Sequence, residues 1–281
     1  MGTGTSLRLI ATDLDHTLLD GDGRVSPRTR AALDAARAAG IAVVPVTARQ
    51  PIGLRALAEE SGFDEWALCG NGSLGIHLVS GEVLFAQETP AEVLQRFAQT
   101  LNARIPGLHY ASVRGDGEGF VAEHGYAALA QFSDHKRDPS TMDLMALEEV
   151  LSEPSLKLVV RHPELSPAAL LDAVRELGVT GFEATLSGAP FLEVMAEGVT
   201  KGTGLARLCA ELEIDRTEVV AFGDGLNDVA MLTWAGHGVA VANAQAEVRE
   251  SADEIAPANT EDGVAQVIER LLAGRGVTVP G

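Results

Sequence analysis

Cysteine is nearly absent. Cys69 and Cys209 are the only two in 281 residues, which excludes a disulfide framework and any cysteine-based metal spacing, and both read as buried, reduced thiols. No apolar run approaches the ~18–20 residues that span a bilayer, so no membrane partner is expected. Met1 to Ser6 carry neither the basic region nor the apolar stretch of a secretory signal, which makes the cytoplasm the expected location. Positive charge is also short. Twenty-one Lys and Arg stand against 40 Asp and Glu, a formal net charge of −19. Such a surface repels the phosphates of nucleic acid and argues against that partner. It still leaves room for a small anion wherever a metal ion and one or two cationic side chains gather. No internal repeat is present, and nothing in the sequence fixes the oligomeric state.

What the chain does have is a run in which an apolar stretch of strand length, Leu9-Ile10-Ala11-Thr12, ends in two aspartates spaced i, i+2. Asp13 and Asp15 are followed by the hydroxyl of Thr17, and Gly21 and Gly23 then break the chain. Two carboxylates this close repel each other unless a cation or a shared proton relieves them. Mg²⁺ suits them, because it takes oxygen ligands and favours carboxylates together with phosphate oxygens.

The length allows two domains. In the first part, Leu7–Thr12, Ile41–Val46 and Trp66–Cys69 read as strands. Ser26-Pro27 caps one helix, which Gly40 stops, and Pro51 starts another, which Gly62 ends. Alternation of strands and helices predicts a parallel sheet with right-handed crossovers. Asn71-Gly72 and Ser80-Gly81 are hairpin signals. The middle third reads as α+β, with helices over Pro90–Asn102, Met142–Leu151 and Ser166–Leu177, and strands over His109–Val113, Gly119–Glu123, Leu156–Arg161 and Thr180–Thr185. The last third returns to α/β, with helix Lys201–Leu212, strand Glu218–Phe222, helix Leu226–Trp234, strand Gly238–Val241 and short helical stretches to the end. The expected fold is therefore α/β, a Rossmann-like parallel-sheet core (1–82 plus 190–281) with an inserted α+β cap domain (83–189).

Four polar features fall just beyond expected strands or at a helix start: Asp13/Asp15/Thr17; Thr47, with Arg49 nearby; Lys201 in Gly198-Val199-Thr200-Lys201-Gly202; and Gly223-Asp224-Gly225-Leu226-Asn227-Asp228. In an open parallel sheet, ligands bind beyond the carboxyl ends of the strands, so all four belong to one edge. Asp224 and Asp228 also have a plainer reading as a turn and helix-start acids. Asn71 does too, as a hairpin residue.

In order and spacing these four features resemble the motifs of the haloacid dehalogenase superfamily of phosphohydrolases. The insertion between the second and third motifs, together with Asn71-Gly72 and Leu192-Glu193-Val194, resembles the Cof-type sugar phosphatases. The resemblance implies Asp13 as nucleophile and Asp15 as acid and base. It implies Thr47 and Lys201 as partners of the phosphoryl oxygens, and Mg²⁺ held by Asp13, the Asp15 carbonyl and Asp224, with Asp228 supporting the metal or its waters. Asn71 and Asn227 are candidate substrate contacts. The acid role needs the Asp15 pKa raised, and the neighbouring Asp13 charge is expected to push it that way. An acid at position 15 favours a phosphatase or mutase. His16 stands where the family often has glycine. Arg49 reads as an ordinary ion-pairing arginine, and His124, His135 and Arg114 in the cap carry no specific signal.

The function these features imply is a Mg-dependent phosphoric monoester hydrolase. It would act on a small phosphorylated metabolite, by the resemblance a sugar phosphate, through an aspartyl-phosphate. A phosphomutase is the nearest rival, and a non-catalytic metabolite-binding regulatory module is a rival of another class.

Overall fold

The computed structural model describes residues 7–279. Its core is a five-stranded, all-parallel sheet in the spatial order Glu254–Ala256, His237–Val241, Val219–Gly223, Leu9–Thr12, Ala42–Pro45. Leu9–Thr12 is wholly buried, as expected of an apolar strand covered on both faces. The chain leaves it on one side to Ala42–Pro45 and returns on the other as Val219–Gly223. The switch point of the sheet therefore lies between Thr12 and Phe222, and Asp13 and Asp224 follow just beyond it.

Helix Pro27–Ala38 begins as expected, with Ser26 Oγ accepting from Thr29 N–H. It packs on the amphipathic C-terminal helix Gly263–Ala273, and Lys201–Glu211 packs on Val229–Trp234. Among the described residues no helix is long and apolar enough to cross a membrane.

The inserted region is a six-stranded sheet in the order Phe182–Thr185, Leu192–Ala196, Lys157–Arg161, His109–Arg114, Gly119–Ala122, Asp143–Leu144. It is antiparallel except for its last pair. Helices Ala91–Arg104 and Pro167–Arg175 add Leu94, Phe97, Leu101, Leu170 and Val174 to the apolar cluster on one face, which holds Tyr110, Leu158, Val160, Leu192 and Val194. The period of two puts Ala111, Val113 and Val159 on the other face, where they join the core cluster. Lys157 and Glu193 lie on that same face by the same alternation.

Several elements differ from the sequence reading. Among the described residues, Trp66–Cys69 pairs with the parallel sheet through no more than one bridge, between Val46 and Leu68. Its main partner is Leu74–His77, which pairs in turn with Val83–Ala86. Leu192–Ala196 pairs within the inserted sheet. The chain thus changes sheets after residue 86 and again after 196, a few residues beyond the expected junctions at 82/83 and 189/190. The turn signals that suggested those junctions mark bends beside paired strands. Met142–Leu151 is not one helix. Asp143–Leu144 adds to the sheet edge beside Val121–Ala122, leaving only Leu147–Val150 helical. Here tertiary pairing overrides helix propensity. The Pro51–Gly62 segment divides into Pro51–Arg55 and Ala58–Ser61. The chain end includes the edge strand Glu254–Ala256 and an 11-residue helix. Helices His124–Leu129 and Phe132–His135 had no sequence signal.

Candidate active site

Asp13 extends the strand ladder by one bond, from its N–H to Phe222 O at 2.9 Å. The chain then makes a single wide turn over Leu14–Leu18, closed by Leu19 N–H to Leu14 O at 2.9 Å. His16 sits in it at φ +63°, in the left-handed region that glycine enters without strain. Its carbonyl accepts from Asn243 Nδ2 at 2.8 Å, which helps hold the turn. The turn buries Thr17, whose Oγ1 donates to Asp224 Oδ1 at 2.7 Å.

Lys201 opens the helix Lys201–Glu211, which Thr200 caps by accepting from Thr203 N–H at 3.1 Å. Its ammonium lies 2.7 Å from Asp13 Oδ1 and 2.6 Å from Asp228 Oδ1, and it is 1% exposed. The backbone around it is tightly packed. A Cβ on Gly72, whose φ is +94°, would lie 2.4 Å from Thr200 O, so only glycine fits there. Asp228 is fully buried, and its Oδ2 accepts from the N–H groups of Asp224 and Gly225 at 3.0 and 2.9 Å. Both of its oxygens are thus engaged by protein donors. Asp13, Asp224 and Asp228 each offer a carboxylate oxygen within 4.8 Å of the others.

Burial raises the Asp13 pKa well above the ordinary carboxylate value. Lys201 opposes this, and the charges of Asp228 and Asp224 reinforce it. Asp224 is raised mainly by burial, against the Thr17 hydrogen bond. Burial works against the Lys201 cation, but its two carboxylate partners outweigh that and hold it firmly protonated.

Asp15 differs from expectation. Its carboxylate is gripped bidentately by Arg49, Nη2 to Oδ1 at 2.5 Å and Nε to Oδ2 at 2.8 Å. Burial pushes its pKa up, but the Arg49 hydrogen bonds and charge prevail, with help from Lys136 and His16, and it ends below the ordinary value. The rise expected from Asp13 is absent because Asp15 turns to the guanidinium. Arg49 therefore belongs to the site.

Thr47 is buried, and its Oγ1 accepts from Arg49 N–H at 3.1 Å, which leaves the hydroxyl proton free to donate. Asn71, at φ +60°, is buried away from the pocket wall. Its Oδ1 accepts from Asn227 Nδ2 at 3.0 Å, and its Nδ2 donates to Glu193 Oε2 at 3.2 Å. Glu193 also pairs with Lys157 at 2.6 Å, and Lys157 donates to Ala48 O at 2.7 Å. A buried polar chain thus runs from the inserted sheet to the loop between Thr47 and Arg49.

A cavity of about 270 Å³ opens over these groups. Asp13, Asp15, Thr47, Arg49, Gln50 and Asn227 line it from below, and His135, Lys136, Lys157, Phe191 and Glu193 from above. The sequence reading missed Gln50, Lys136 and Lys157, and had Glu193 only as part of the Leu192-Glu193-Val194 resemblance, with no site role. A charge inside an otherwise apolar strand was the available signal for Lys157 and Glu193. His124 and Arg114 are not on the wall. Arg114 donates to the carbonyls of Glu149 and Val150.

A doubly wound core whose loops gather three carboxylates and a lysine beneath an inserted α+β layer is a capped α/β architecture with an acid-rich site at its switch point. Residues 10–268 match the family model of haloacid dehalogenase-like hydrolases. The chain is 29% identical to the 5-amino-6-(5-phospho-D-ribitylamino)uracil phosphatase YcsE of Bacillus subtilis, over 95% of this chain and 96% of that one. It is also 29% identical to the pyridoxal phosphate phosphatase YbhA of Escherichia coli, over 93% and 97%. Among solved structures, the HAD subclass IIB sugar phosphatase BT4131 superposes with a TM-score of 0.78 at 21% identity, covering 96% of this chain and 99% of that one. The chain belongs to the haloacid dehalogenase-like hydrolases.

Proposed function

We propose that the protein is a Mg²⁺-dependent phosphatase of a small phosphorylated metabolite, of the sugar-phosphate class, working through an aspartyl-phosphate on Asp13. The observation that carries this is the buried Asp13–Lys201–Asp228 cluster at the switch point, with Asp224 beside it and a cavity above.

The donor set suits a divalent ion. Three carboxylates face one ammonium, and the oxygens of Asp13 and Asp224 not held by Lys201 and Thr17 are available as hard ligands. Asp13 and Asp224 would hold Mg²⁺ together with the Asp15 carbonyl. Asp228, with both oxygens engaged, would steady Lys201 and the Asp224 loop. When bound, the ion would neutralise charge on the phosphoryl oxygens and lower the pKa of Asp13.

Asp13 attacks phosphorus, and the bond to the leaving oxygen breaks. Asp15, which takes up a proton from solvent as its pairing with Arg49 loosens, gives that oxygen the proton. It then takes one from water, which attacks phosphorus and breaks the bond to Asp13, releasing phosphate and restoring the carboxylate. Arg49 fixes the direction of Asp15, and proton transfer requires this pairing to loosen as substrate enters. Thr47 donates to a phosphoryl oxygen, and Lys201 supplies a positive charge beside the nucleophile. The inserted sheet covers the cavity and excludes bulk water. The named relatives act on a phosphoribityl compound and on pyridoxal phosphate, in keeping with one core chemistry serving different leaving groups.

The test is phosphate release from p-nitrophenyl phosphate and a panel of sugar phosphates, with Mg²⁺ and with chelator. Turnover that needs Mg²⁺ is expected. Absence of phosphate release from every ester would overturn the proposal, and isomerised sugar phosphate without free phosphate would establish a mutase instead.

A further inference from the structure

The phosphoryl end of the cavity is defined by Asp13 and Thr47. A leaving group must then extend past Asp15 toward the inserted layer, where two side chains lack a hydrogen-bond or ion-pair partner among the described residues, Lys136 acting on Asp15 by its charge alone. Of the cations on the cavity wall, Arg49 is paired with Asp15 and Lys157 with Glu193. Lys136 has no hydrogen bond or ion pair among the described residues. It is half-buried, and its stem lies over the core helix Pro51–Arg55, where a Cβ on Gly53 would be 3.6 Å from Lys136 Cγ. It also holds a left-handed backbone, φ +53°, a strain that persists only where neighbours impose it. Those neighbours are fixed. Asp134 pairs with Arg161 at 2.7 Å, and His135 stacks on Phe191. The second side chain is Gln50. It is 5% exposed, lines the same cavity, and its amide nitrogen and oxygen both lack a hydrogen-bond partner among the described residues.

Resting on the phosphatase reading, we propose that Lys136 and Gln50 form a leaving-group subsite for a second anionic group, a carboxylate or a second phosphate, on the substrate. A neutral sugar would satisfy the amide and leave the ammonium unmatched. An anion accepts from the ammonium and from the Gln50 NH₂ together, in charge-assisted hydrogen bonds, and Gln50 Oε1 takes an adjacent hydroxyl. A site with unpaired polar groups discriminates strongly against a substrate that leaves them unpaired.

The experiment measures kcat/KM for matched esters: 3-phosphoglycerate against glycerol 3-phosphate, and fructose 1,6-bisphosphate against fructose 1-phosphate and fructose 6-phosphate. The first pair tests a carboxylate and the second a phosphate. The wild-type enzyme is expected to favour the doubly anionic member of at least one set by about tenfold. Lys136→Asn, which removes the charge while accepting the left-handed backbone, should bring that ratio close to one. Lys136→Arg should keep most of it. Gln50→Leu, at a position whose side-chain amide has no hydrogen-bond partner among the described residues, should lower the same ratio and serves as the second variant if Lys136→Asn fails to fold. No preference in the wild type, or equal losses on both members of a pair, overturns the subsite. Phosphate release from none of the esters, p-nitrophenyl phosphate included, overturns the phosphatase reading, and the subsite with it.

Discussion

The two halves of the cavity bury charge in opposite ways. Below, three carboxylates share one lysine, and burial pushes Asp13 and Asp224 toward their neutral forms. Above, the inserted sheet buries Lys157 with Glu193 and Arg161 with Asp134, one cation to one anion. An unbalanced cluster is costly unless something arrives to balance it, so it marks where chemistry happens. A balanced pair is self-sufficient and holds geometry. The contrast is in keeping with the proposed division, reaction in the core and orientation in the cap.

The largest effect expected from breaking the lower cluster is on rate. Asp13→Asn removes the proposed nucleophile and should cut phosphate release by at least ~10³-fold. It also removes a buried charge, so its urea midpoint should not fall. Rate lost without stability lost is the signature sought, and a variant that keeps most of its turnover would refute the assignment. Lys201→Met should differ. It strands Asp13 and Asp228 without their shared cation, and should lower the rate by ~10²–10³-fold and stability by about 3–5 kcal/mol. Parallel phosphate-release and urea-unfolding measurements read both.

The upper pair should respond the other way. Lys157→Met leaves Glu193 buried and unpaired, at a cost of about 3 kcal/mol, and frees the carbonyl of Ala48. Lys157→Met with Glu193→Gln should recover a large part of that stability, because the second substitution removes the stranded charge and its amide oxygen can still accept from Asn71. The turnover lost in either should be smaller than in Lys201→Met. A double-mutant cycle on unfolding free energy gives the coupling, and a coupling near zero would show that the pair holds nothing in place.

The same contrast explains what could be read from the sequence. Asp13, Asp15, Thr47, Lys201, Asp224 and Asp228 follow strands or start a helix, so each announces itself through a local pattern. The sheet order then brings them together, because strands ending at one edge must deliver their loops there. Even His16, out of place by residue type, proved to sit at the one positive φ in its turn. The upper wall has no such local code. Lys157 and Glu193 are 36 positions apart and meet only through strand register, which the sequence does not print. Lys136 and Gln50 lie in short irregular segments. The Asp15–Arg49 pair was missed for a related reason: proximity in sequence suggested that Asp13 would govern Asp15, whereas side-chain direction gave it to Arg49.

The smallest expected effect isolates the cap through pH. His135 is 8% exposed, shares a 2.7 Å hydrogen bond with Tyr126 and stacks on Phe191. Burial pushes its pKa down to about 3, and Lys157, Arg161 and Arg137 add to the fall. The imidazole thus stays neutral in the folded protein, while the unfolded chain takes up a proton near pH 6.5. Stability from this residue is therefore fully present above pH 6.5 and is lost as pH falls from there toward 3. One unit below 6.5 the loss is about 1.4 kcal/mol. His135→Gln, which can still bond to Tyr126, should flatten this dependence between pH 7.5 and 5.5. The carboxylates titrating near Lys201 belong to both proteins, so they drop out of the difference between the two urea-unfolding curves. Equal slopes for wild type and variant would mean that His135 is solvated and charged, and that the upper wall is looser than its packing implies.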